Sequence, residues 1–391
     1  MKAIQYRAYG GYDENRPVEL PIPKPATGEV LVKMRAVGIN PLDDTFRGGH
    51  IFLATPANLP RIGGQTGVGF VEESTVGDFK RGDRVFVTGR GFGLVADGTW
   101  REFVAAAATG LSHVPTHIED DVAAAFLAGA GYITGYLSLT KFAEFKPGQT
   151  MLAPGIGGAV GMESVQIARN LGASLAISTA TSSARADEAR AAGYEHVIDL
   201  SRERLRDGVM RLTAGKGVDV VIDGVGGALT GEALGCLANA GTYVVVGYAA
   251  GREATLNLTD IIWKAAKVHG FTLRAFSPET IAAAQRILLG YLAGGSIQPT
   301  VDRSFPLDEA GAAIFSRDHV GSFAPRAPSR GGGVGRLRLL QGLHVVVDGV
   351  GIGLGRQPGI DRGVGALPAV VAGEEMGVGT RVLGDIRERG G

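Results

Sequence analysis

The hydrophobic pattern divides the chain into two regions with different periods. Over residues 1–117, short β-branched runs such as residues 30–39 and 84–87 alternate with turn residues. This is typical of a small, largely antiparallel β domain. Over residues 151–271, apolar strands alternate with segments of helical period. Such alternation predicts a parallel, doubly wound sheet, so the chain is expected to belong to the α/β class.

Two segments differ from this pattern. The longest uncharged run, residues 122–140, approaches the length of a membrane span but contains glycine, tyrosine and hydroxyl residues. We interpret it as two buried helical pieces with a break between them. Residues 322–391 contain no lysine, many glycines and arginines, and no sustained period. Two interpretations of this segment stay open: an irregular, disordered tail, or the product of a reading-frame change in the gene.

The composition limits the kinds of partner. The 39 basic and 39 acidic residues cancel, so no global field favours nucleic acid or an anionic membrane, and a small neutral partner fits better. The one cysteine, Cys236, cannot form an internal disulfide, and no signal-like segment precedes the first predicted strand. We therefore expect a cytoplasmic location.

The strongest local signal is a glycine-rich turn between a predicted strand and a predicted helix. A dinucleotide pyrophosphate needs this arrangement, because the backbone has to approach it closely and the helix N-terminus supplies amide donors. The alternative is a tight turn that binds no ligand. The candidate cofactor-binding residues of the turn are Gly155, Gly157, Gly158, Ala159, Val160 and Gly161.

The end of the second predicted strand indicates which dinucleotide is bound. An enzyme that uses NAD usually has Asp or Glu there, bound to the ribose hydroxyls. This chain instead has Ser178, Thr179 and further hydroxyl residues, followed by Arg185. Hydroxyls and a guanidinium suit a 2′-phosphate, so we predict NADPH. The alternative for Arg185 is an ordinary solvated residue in the first turn of a helix.

Two more strand ends are predicted to face the same ligand, since ligands of parallel sheets lie at the carboxyl edge. One is Asp223 with the turn that follows it through Val225. The other is Gly247 with Tyr248, where a glycine leaves room for the nicotinamide. The alternative is that the glycines of these segments only make tight turns.

Further short motifs follow one another in a recognisable order along residues 1–321. They are GEVLV at 28–32, GINPLD at 38–43, FKRGDRV at 79–85, YITGY at 132–136, KPGQ at 146–149, DGVGG at 223–227 and GFTL at 270–273. In this order they resemble the zinc-independent medium-chain dehydrogenase/reductases, close in pattern to the quinone oxidoreductases. The Gly/Arg-rich C-terminal tail lies outside the resemblance.

The resemblance implies a two-domain fold. It places a GroES-like catalytic β domain over residues 1–120, with residues 275–321 as candidates to return to it. It places a Rossmann domain, a doubly wound parallel sheet that binds NADPH, over residues 121–274. Residues 322–391 are left as an atypical tail. Because relatives commonly dimerise through the edges of their Rossmann sheets, a homodimer is expected.

The positions of the zinc ligands in related alcohol dehydrogenases hold other residue types in this chain. Asn40 stands where those enzymes have a cysteine, and Gln65 with Thr66 stands where they have His and Glu. Catalytic zinc needs about three Cys, His or carboxylate ligands, so we expect no metal. Without a Lewis acid, the chemistry that suits a nicotinamide is hydride delivery to an already electrophilic acceptor.

The resemblance also implies catalytic candidates. Asn40 and Asp43 are expected at the interdomain cleft, and Thr134 close to the nicotinamide end of the cofactor. Asn40 is a candidate to hydrogen-bond the substrate carbonyl or the nicotinamide amide, the alternative for Asn40 and Asp43 being turn and N-cap duty. The proton donor is left open among solvent, Tyr132, Tyr136 and Tyr248. Three phenylalanines are candidates to line an apolar acceptor pocket: Phe46, Phe52 and Phe92.

Three functions stay open on the sequence. The first is NADPH-dependent reduction of a quinone. The second is reduction of an enone or enoyl substrate, which differs only in the shape of the acceptor pocket. The third is a non-catalytic NADPH-binding role, since this family includes members that resemble lens crystallins and vesicle-associated proteins.

Overall fold

The computed structural model of the chain describes residues 1–11, 14–39, 41–49, 59–89, 91–128, 130–307 and 344–348. Contacts divide the chain into two units, Met1–Leu354 and Gly355–Gly391. All described residues belong to the first unit.

The N-terminal region is built of mainly antiparallel strands. Val30, Val32 and Met34 of its longest strand are buried with Val104 and Trp100 in one core, as expected for β-branched residues on a half-buried pleated surface. One sheet has the order β2-β1-β4, and a larger one contains β3-β5-β6-β8 with β7 paired to β3. The predicted antiparallel β region is therefore confirmed. The strands are β1 (Lys2–Tyr6), β2 (Asn15–Glu19), β3 (Glu29–Ile39), β4 (Arg61–Ile62), β5 (Thr66–Ser74), β6 (Arg84–Thr88), β7 (Phe103–Ala107) and β8 (Leu111–His113).

Three helices accompany this region or lead out of it: α1 (Pro41–Arg47), α2 (Asp120–Ala128) and α3 (Gly131–Leu137), the last continuing as a π-helical turn over Ser138–Phe142. Ala124 and Leu137 are fully buried, so the prediction of two buried helical pieces is confirmed. No single helix of the described part is long and apolar enough to cross a membrane. Only α2 and Gly131–Phe142, bent by 48°, pass that test of length and composition as a pair.

The second region is a six-stranded parallel sheet with the order β11-β10-β9-β12-β13-β14. Met151 of β9 packs in the core beside the helix after β9, while the next residue, Leu152, packs with the helices that follow β11 and β12. Both faces are thus covered, which confirms the predicted doubly wound sheet. Its strands are β9 (Thr150–Ala153), β10 (Leu175–Ala180), β11 (Val197–Asp199), β12 (Val218–Asp223), β13 (Leu237–Val245) and β14 (Lys267–Gly270). Its helices are α4 (Ala159–Asn170), α5 (Ser183–Ala191), α6 (Leu205–Leu212), α7 (Ala228–Leu234) and α8 (Leu258–Ile262).

The remaining elements are α9 (Pro278–Ala293), β15 (Val301–Pro306) and β16 (His344–Asp348). β15 pairs with β16, and β16 runs parallel to β3, so both extend the large sheet of the N-terminal region to seven strands. All of the Gly/Arg-rich tail except β16 lies outside the described residues. The domain limits drawn from the sequence stay a prediction.

Candidate active site

The turn between β9 and α4 has the geometry that a pyrophosphate site needs. Gly155 has a φ of +83°, a conformation that only glycine adopts readily, and its amide donates to Thr179 Oγ1 at 2.9 Å. Gly158 is the N-cap of α4 and provides no side-chain cap. The first turn of α4 therefore presents backbone amides and the positive end of the helix dipole at the carboxyl edge of the sheet.

The two faces of this turn differ in how much space they leave. A Cβ on Gly161 would lie 2.2 Å from the carbonyl oxygen of Gly155, so the helix can approach the strand this closely only with glycine. A Cβ on Gly157, in contrast, would meet no described atom within 4 Å. The turn is thus packed against the protein on one face and open on the other.

Three strand-end turns meet at this edge. A Cβ on Gly155 would lie 3.1 Å from Val225 Cγ2, and a Cβ on Gly224 would lie 3.0 Å from Val160 Cβ. The turn after β12 in turn touches the segment after β13, where Gly247 approaches the carbonyl of Gly224. The structure therefore brings together most of the cofactor residues predicted from sequence: Gly155, Gly157, Gly158, Ala159, Val160, Gly161, Val225, Gly247 and Tyr248.

Asp223 serves the turn and does not face the opening. It is fully buried, and its Oδ1 accepts the amides of Val225 and Gly226 at 2.8 and 3.0 Å. Its Oδ2 accepts the hydroxyls of Thr230 and Tyr243 at 2.7 and 2.6 Å. Burial, and then the Asp223 charge, raises the pKa of Tyr243. The prediction of Asp223 as a cofactor ligand is corrected accordingly, because four internal donors use its carboxylate and it acts by positioning Val225.

The hydroxyls at the end of β10 are also used internally. Ser178 donates to the carbonyl of Ala153 at 2.6 Å, and Thr179 Oγ1 accepts the amide of Gly155. Both side chains are at most 2% exposed. Their hydroxyls fasten β10 to the glycine turn, which argues against direct binding of a cofactor phosphate; a binding role for Ser178 and Thr179 stays a prediction.

A carboxylate that no sequence motif singled out lies beside the start of α5. Ser182 caps the helix by accepting the amide of Arg185, and Ser183 donates to Asp199 Oδ2 at 2.6 Å. Asp199 ends β11, and the parallel pairing of β10 with β11 places it opposite Ala180. The rule that strand ends converge at the carboxyl edge was the available signal. Arg185 lies half-buried in the first turn of α5, and its role in cofactor binding stays a prediction.

The catalytic candidates occupy separate elements. A Cβ on Gly131, the first residue of α3, would lie 2.9 Å from the backbone of Ala159, and Thr134 lies one turn further along α3, buried. Asp43 is buried on α1, where its Oδ1 accepts Gln65 Nε2 at 2.9 Å. Asn40 lies outside the described residues. The catalytic roles of Asn40, Asp43 and Thr134 stay predictions.

Contacts link the two halves of this arrangement. A Cβ on Gly38, near the end of β3, would lie 2.4 Å from the Cβ of Ala128, the last residue of α2. The chain then enters α3, whose first residue touches the start of α4. The end of β3, immediately before α1, is therefore connected through α2 and α3 to the glycine turn.

The three candidate tyrosines differ in their surroundings. Tyr132 is 1% exposed and its hydroxyl donates to Gln166 Oε1 at 3.2 Å, so its candidacy as a proton donor is corrected. Tyr136 is half-buried, and burial raises its pKa. Tyr248 is 49% exposed, with the guanidinium of Arg252 5.3 Å from its ring centre.

The phenylalanines proposed for the acceptor pocket are placed as follows. Phe46 is buried on α1, and Phe92 packs against the core of the N-terminal region. Phe52 lies outside the described residues. Phe46 is thus buried and Phe92 partly buried, and whether either ring lines an acceptor pocket stays a prediction.

The donors near Asp43 do not suit zinc. An amide nitrogen that donates to a carboxylate, as Gln65 does to Asp43, differs from the Cys, His and free carboxylate ligands that zinc takes. Among the described residues no three His, Cys, Asp or Glu side chains converge. Cys236 lies in the turn before β13, and burial raises the pKa of its thiol to about 12.

Comparisons with known proteins agree with this fold. The protein-family model of the alcohol dehydrogenase GroES-like domain matches residues 26–116. A second family model, described as zinc-binding dehydrogenase, matches residues 159–289. A quinone oxidoreductase of Pseudomonas aeruginosa is 35% identical over 323 residues, covering 80% of this chain and 94% of the relative. The chain belongs to the quinone oxidoreductase-like part of the medium-chain dehydrogenase/reductase superfamily.

Two further comparisons refine this membership. The crystal structure of Escherichia coli quinone oxidoreductase complexed with NADPH has a TM-score of 0.69 and 30% identity, covering 80% of this chain and 95% of that chain. A 2-haloacrylate reductase of a Burkholderia species is 30% identical over 336 residues, covering 82% of this chain and 97% of the relative. The family model whose description mentions zinc binding matches residues 159–289. Over these residues the chain has a single cysteine and two histidines.

Proposed function

We propose that this chain is an NADPH-dependent reductase that delivers hydride to a quinone. The observation that carries the proposal is the glycine turn at the start of α4, packed on one face and open on the other, where the turns after β12 and β13 also meet. The quinone oxidoreductase relatives, one of them complexed with NADPH, support the same activity.

Each part of the edge has a task in this proposal. The open amides of the first turn of α4 bind the pyrophosphate, and the backbone at Val225, held by Asp223, lies beside it. Arg185 binds the 2′-phosphate. Bound NADPH supplies the hydride. Gly247 leaves space for the nicotinamide ring next to Tyr248.

The residues around the acceptor position it. Thr134, one turn from the start of α4, orients the nicotinamide end of the cofactor. The carboxylate of Asp43 holds the Gln65 amide in one orientation, and Asn40 hydrogen-bonds the acceptor carbonyl. Solvent, or the exposed hydroxyl of Tyr248, delivers the proton to the reduced oxygen.

The activity is tested with purified full-length protein, NADPH or NADH, and a small para-quinone, by following the absorbance of the reduced cofactor. We expect rapid oxidation of NADPH and much slower oxidation of NADH. Binding of NADPH without oxidation by any quinone would contradict the proposed reaction.

A second acceptor class is supported by one relative. The 2-haloacrylate reductase similarity favours an activated carbon–carbon double bond as the acceptor. Turnover of 2-haloacrylates or simple enones, measured beside the quinones, separates the two: a higher kcat/KM for the enone would replace the quinone as the proposed substrate. Failure of both classes would favour the non-catalytic NADPH-binding role.

We also propose that two copies pair through the edge of the parallel sheet. β14 ends the strand order, and an exposed strand edge readily pairs with another chain. Val268 on this strand is 45% exposed, and Ile262 and Trp263 beside it are 68% and 81% exposed. Such a cluster of exposed apolar side chains marks an interaction surface. The expected cytoplasmic location stays a prediction.

Light scattering after gel filtration tests the pairing. We expect a dimer for the native chain and a monomer for Trp263→Lys. Ile22→Lys changes an exposed apolar side chain of the N-terminal region, 50% exposed, and is the control. A native monomer, or a dimer unaffected by Trp263→Lys, would contradict the proposed interface.

A further inference from the structure

Arg202 is held in place by a buried carboxylate at the edge of the proposed cofactor site. Its Nε donates to Ser183 Oγ at 2.8 Å and lies 3.4 Å from Asp199 Oδ2. Ser183 in turn donates to Asp199. Arg202 nevertheless has 76% of its side chain exposed, whereas the Asp199 side chain is 8% exposed. The guanidinium is therefore anchored at Nε while most of it faces solvent.

The anchoring carboxylate is fully engaged. Asp199 Oδ1 accepts both the amide and the hydroxyl of Ser201, at 2.9 and 2.6 Å. The hydrogen bonds from Ser183 and then Ser201 hold the pKa of Asp199 below its ordinary value, so it is charged at neutral pH. A long arginine side chain loses rotamer freedom when it is held in this way. Because this loss of rotamer freedom opposes folding, a guanidinium that is fixed and yet exposed points to a ligand.

The neighbouring charges are paired elsewhere. Arg204 forms an ion pair with Glu232 at 3.6 Å, and Arg211 with Glu203 at 2.6 Å. Arg202 thus differs from its neighbours because its anchor, Ser183, is the first residue of α5. Arg185 lies in the same first turn of α5.

Arg202 also lines a cavity of about 360 Å³ at this edge of the sheet. Leu200, Leu205 and Leu229 contribute apolar surface to it, and Glu203, Arg204 and Glu232 also line it. Both carboxylates are paired with arginines, Glu203 with Arg211 and Glu232 with Arg204. A volume of this order falls in the range of small-molecule sites, which are typically apolar with a few placed polar groups. A flat base beside a phosphate fits that combination.

We propose that Arg202, positioned by Asp199 through Ser183, binds the 2′-phosphate of NADPH and is a specificity-determining residue. This inference rests on the proposed NADPH-dependent function and deepens it. The hydroxyls of Ser178 and Thr179, which the sequence suggested for this task, are engaged in holding the glycine turn. The discrimination between NADPH and NADH therefore falls to the two guanidinium groups, Arg185 and Arg202.

Calorimetric titration of the full chain tests Arg202. The probes are NADPH against NADH, and 2′,5′-ADP against 5′-ADP, which isolate the phosphate without any turnover. We expect Arg202→Ala to raise Kd for NADPH and 2′,5′-ADP about tenfold, equivalent to about 1.4 kcal/mol, and to leave NADH and 5′-ADP within twofold. Arg81→Ala is the matched control, because Arg81 lies in the N-terminal region with 77% of its side chain exposed, and it should change none of the four dissociation constants.

Asp199→Asn tests the positioning role, with thermal unfolding as the check on folding. We expect it to weaken NADPH binding severalfold, and to add nothing in the Arg202→Ala background, because it acts through Arg202. Tighter NADPH binding in Asp199→Asn would show that the carboxylate repels the phosphate and would overturn the positioning role.

The outcomes separate the inference from the proposed function. An equal loss for NADPH and NADH in Arg202→Ala, or no loss, would overturn the specificity role while leaving a dinucleotide-binding protein. A native chain that binds neither NADPH nor NADH would overturn the proposed function itself.

Discussion

The glycine turn after β9 and the start of α5 lie at the same edge of the same sheet, yet they are built differently. The turn offers backbone groups, and what it needs is the absence of side chains at Gly155 and Gly161. The start of α5 depends on two side chains that meet only after folding, Ser183 at the first position of the helix and Asp199 at the end of β11. A site made of backbone groups can be predicted from a short stretch of sequence. A site made of side chains cannot, because it depends on which groups are already hydrogen-bonded to one another in the folded chain.

The largest effect is expected at the packed face of the turn. Gly161→Val places atoms against the carbonyl of Gly155, only 2.2 Å from the new Cβ, so we expect a loss of about 3 kcal/mol in the free energy of unfolding. NADPH and NADH binding should both be lost. Chemical denaturation and calorimetric titration measure the two quantities.

Gly157→Ala is the matched variant on the open face. No described atom lies within 4 Å of its Cβ, so stability should change by no more than about 0.5 kcal/mol. Both dinucleotides should still bind at least tenfold more weakly, because the methyl group occupies the space of the pyrophosphate. Unchanged affinity in Gly157→Ala would contradict the assignment of the open face.

The next effect concerns the buried carboxylate at the end of β12, on the side of the glycine turn away from α5. Asp223→Ala leaves two amides and two hydroxyls without their acceptor, and we expect a loss of about 3 kcal/mol or less in the free energy of unfolding. Tyr243→Phe removes one of the four donors and should cost about 1 kcal/mol. Because Asp223 acts through the turn, its removal should weaken NADPH and NADH binding by the same factor. A selective loss of NADPH would instead make Asp223 a direct ligand.

At the start of α5 the expected effect is smaller and selective. Arg185→Ala should raise Kd for NADPH about tenfold, about 1.4 kcal/mol, with NADH unchanged, because only the former has a 2′-phosphate. Arg190→Ala, on the same helix and paired with Asp187 at 2.8 Å, is the control. Equal affinities before and after Arg185→Ala would remove this residue from the site.

The smallest effect on stability and binding is expected for a change at Ser178. Ser178→Ala removes a buried hydrogen bond to Ala153 and should lower the free energy of unfolding by about 1 kcal/mol. The ratio of NADPH to NADH affinity should not move, because the hydroxyl serves the turn. A drop in that ratio, with stability intact, would return Ser178 to the phosphate site.

The same difference explains what the sequence could predict. The alternation of strands and helices, the glycine turn and the convergence of the turns at Val225 and Gly247 follow from local pattern and from the geometry of parallel sheets. The engagement of Ser178 and the arrival of Asp199 beside Ser183 do not, since hydrogen-bond partners 16 or more residues apart leave no periodic signal. An inventory of hydroxyls shows which groups are present but not which are already satisfied.

Side-chain partners in the N-terminal region and in α3 could not be predicted from the sequence either. The sequence identifies Gln65 only as a replacement for a zinc ligand, and its bond to Asp43 becomes visible only when β5 and α1 are placed together. Tyr132 is buried and its hydroxyl donates to Gln166. Its place in the YITGY motif therefore does not indicate that it is a proton donor.

The most direct test of the cofactor site is the pair of dissociation constants for NADPH and NADH, measured by titration of the native full-length chain under one set of salt and pH conditions. We predict that NADPH binds at least tenfold more tightly than NADH, because only NADPH carries the 2′-phosphate that cations near the start of α5 would bind. Equal affinities, or tighter binding of NADH, would contradict this prediction and the site on which it rests.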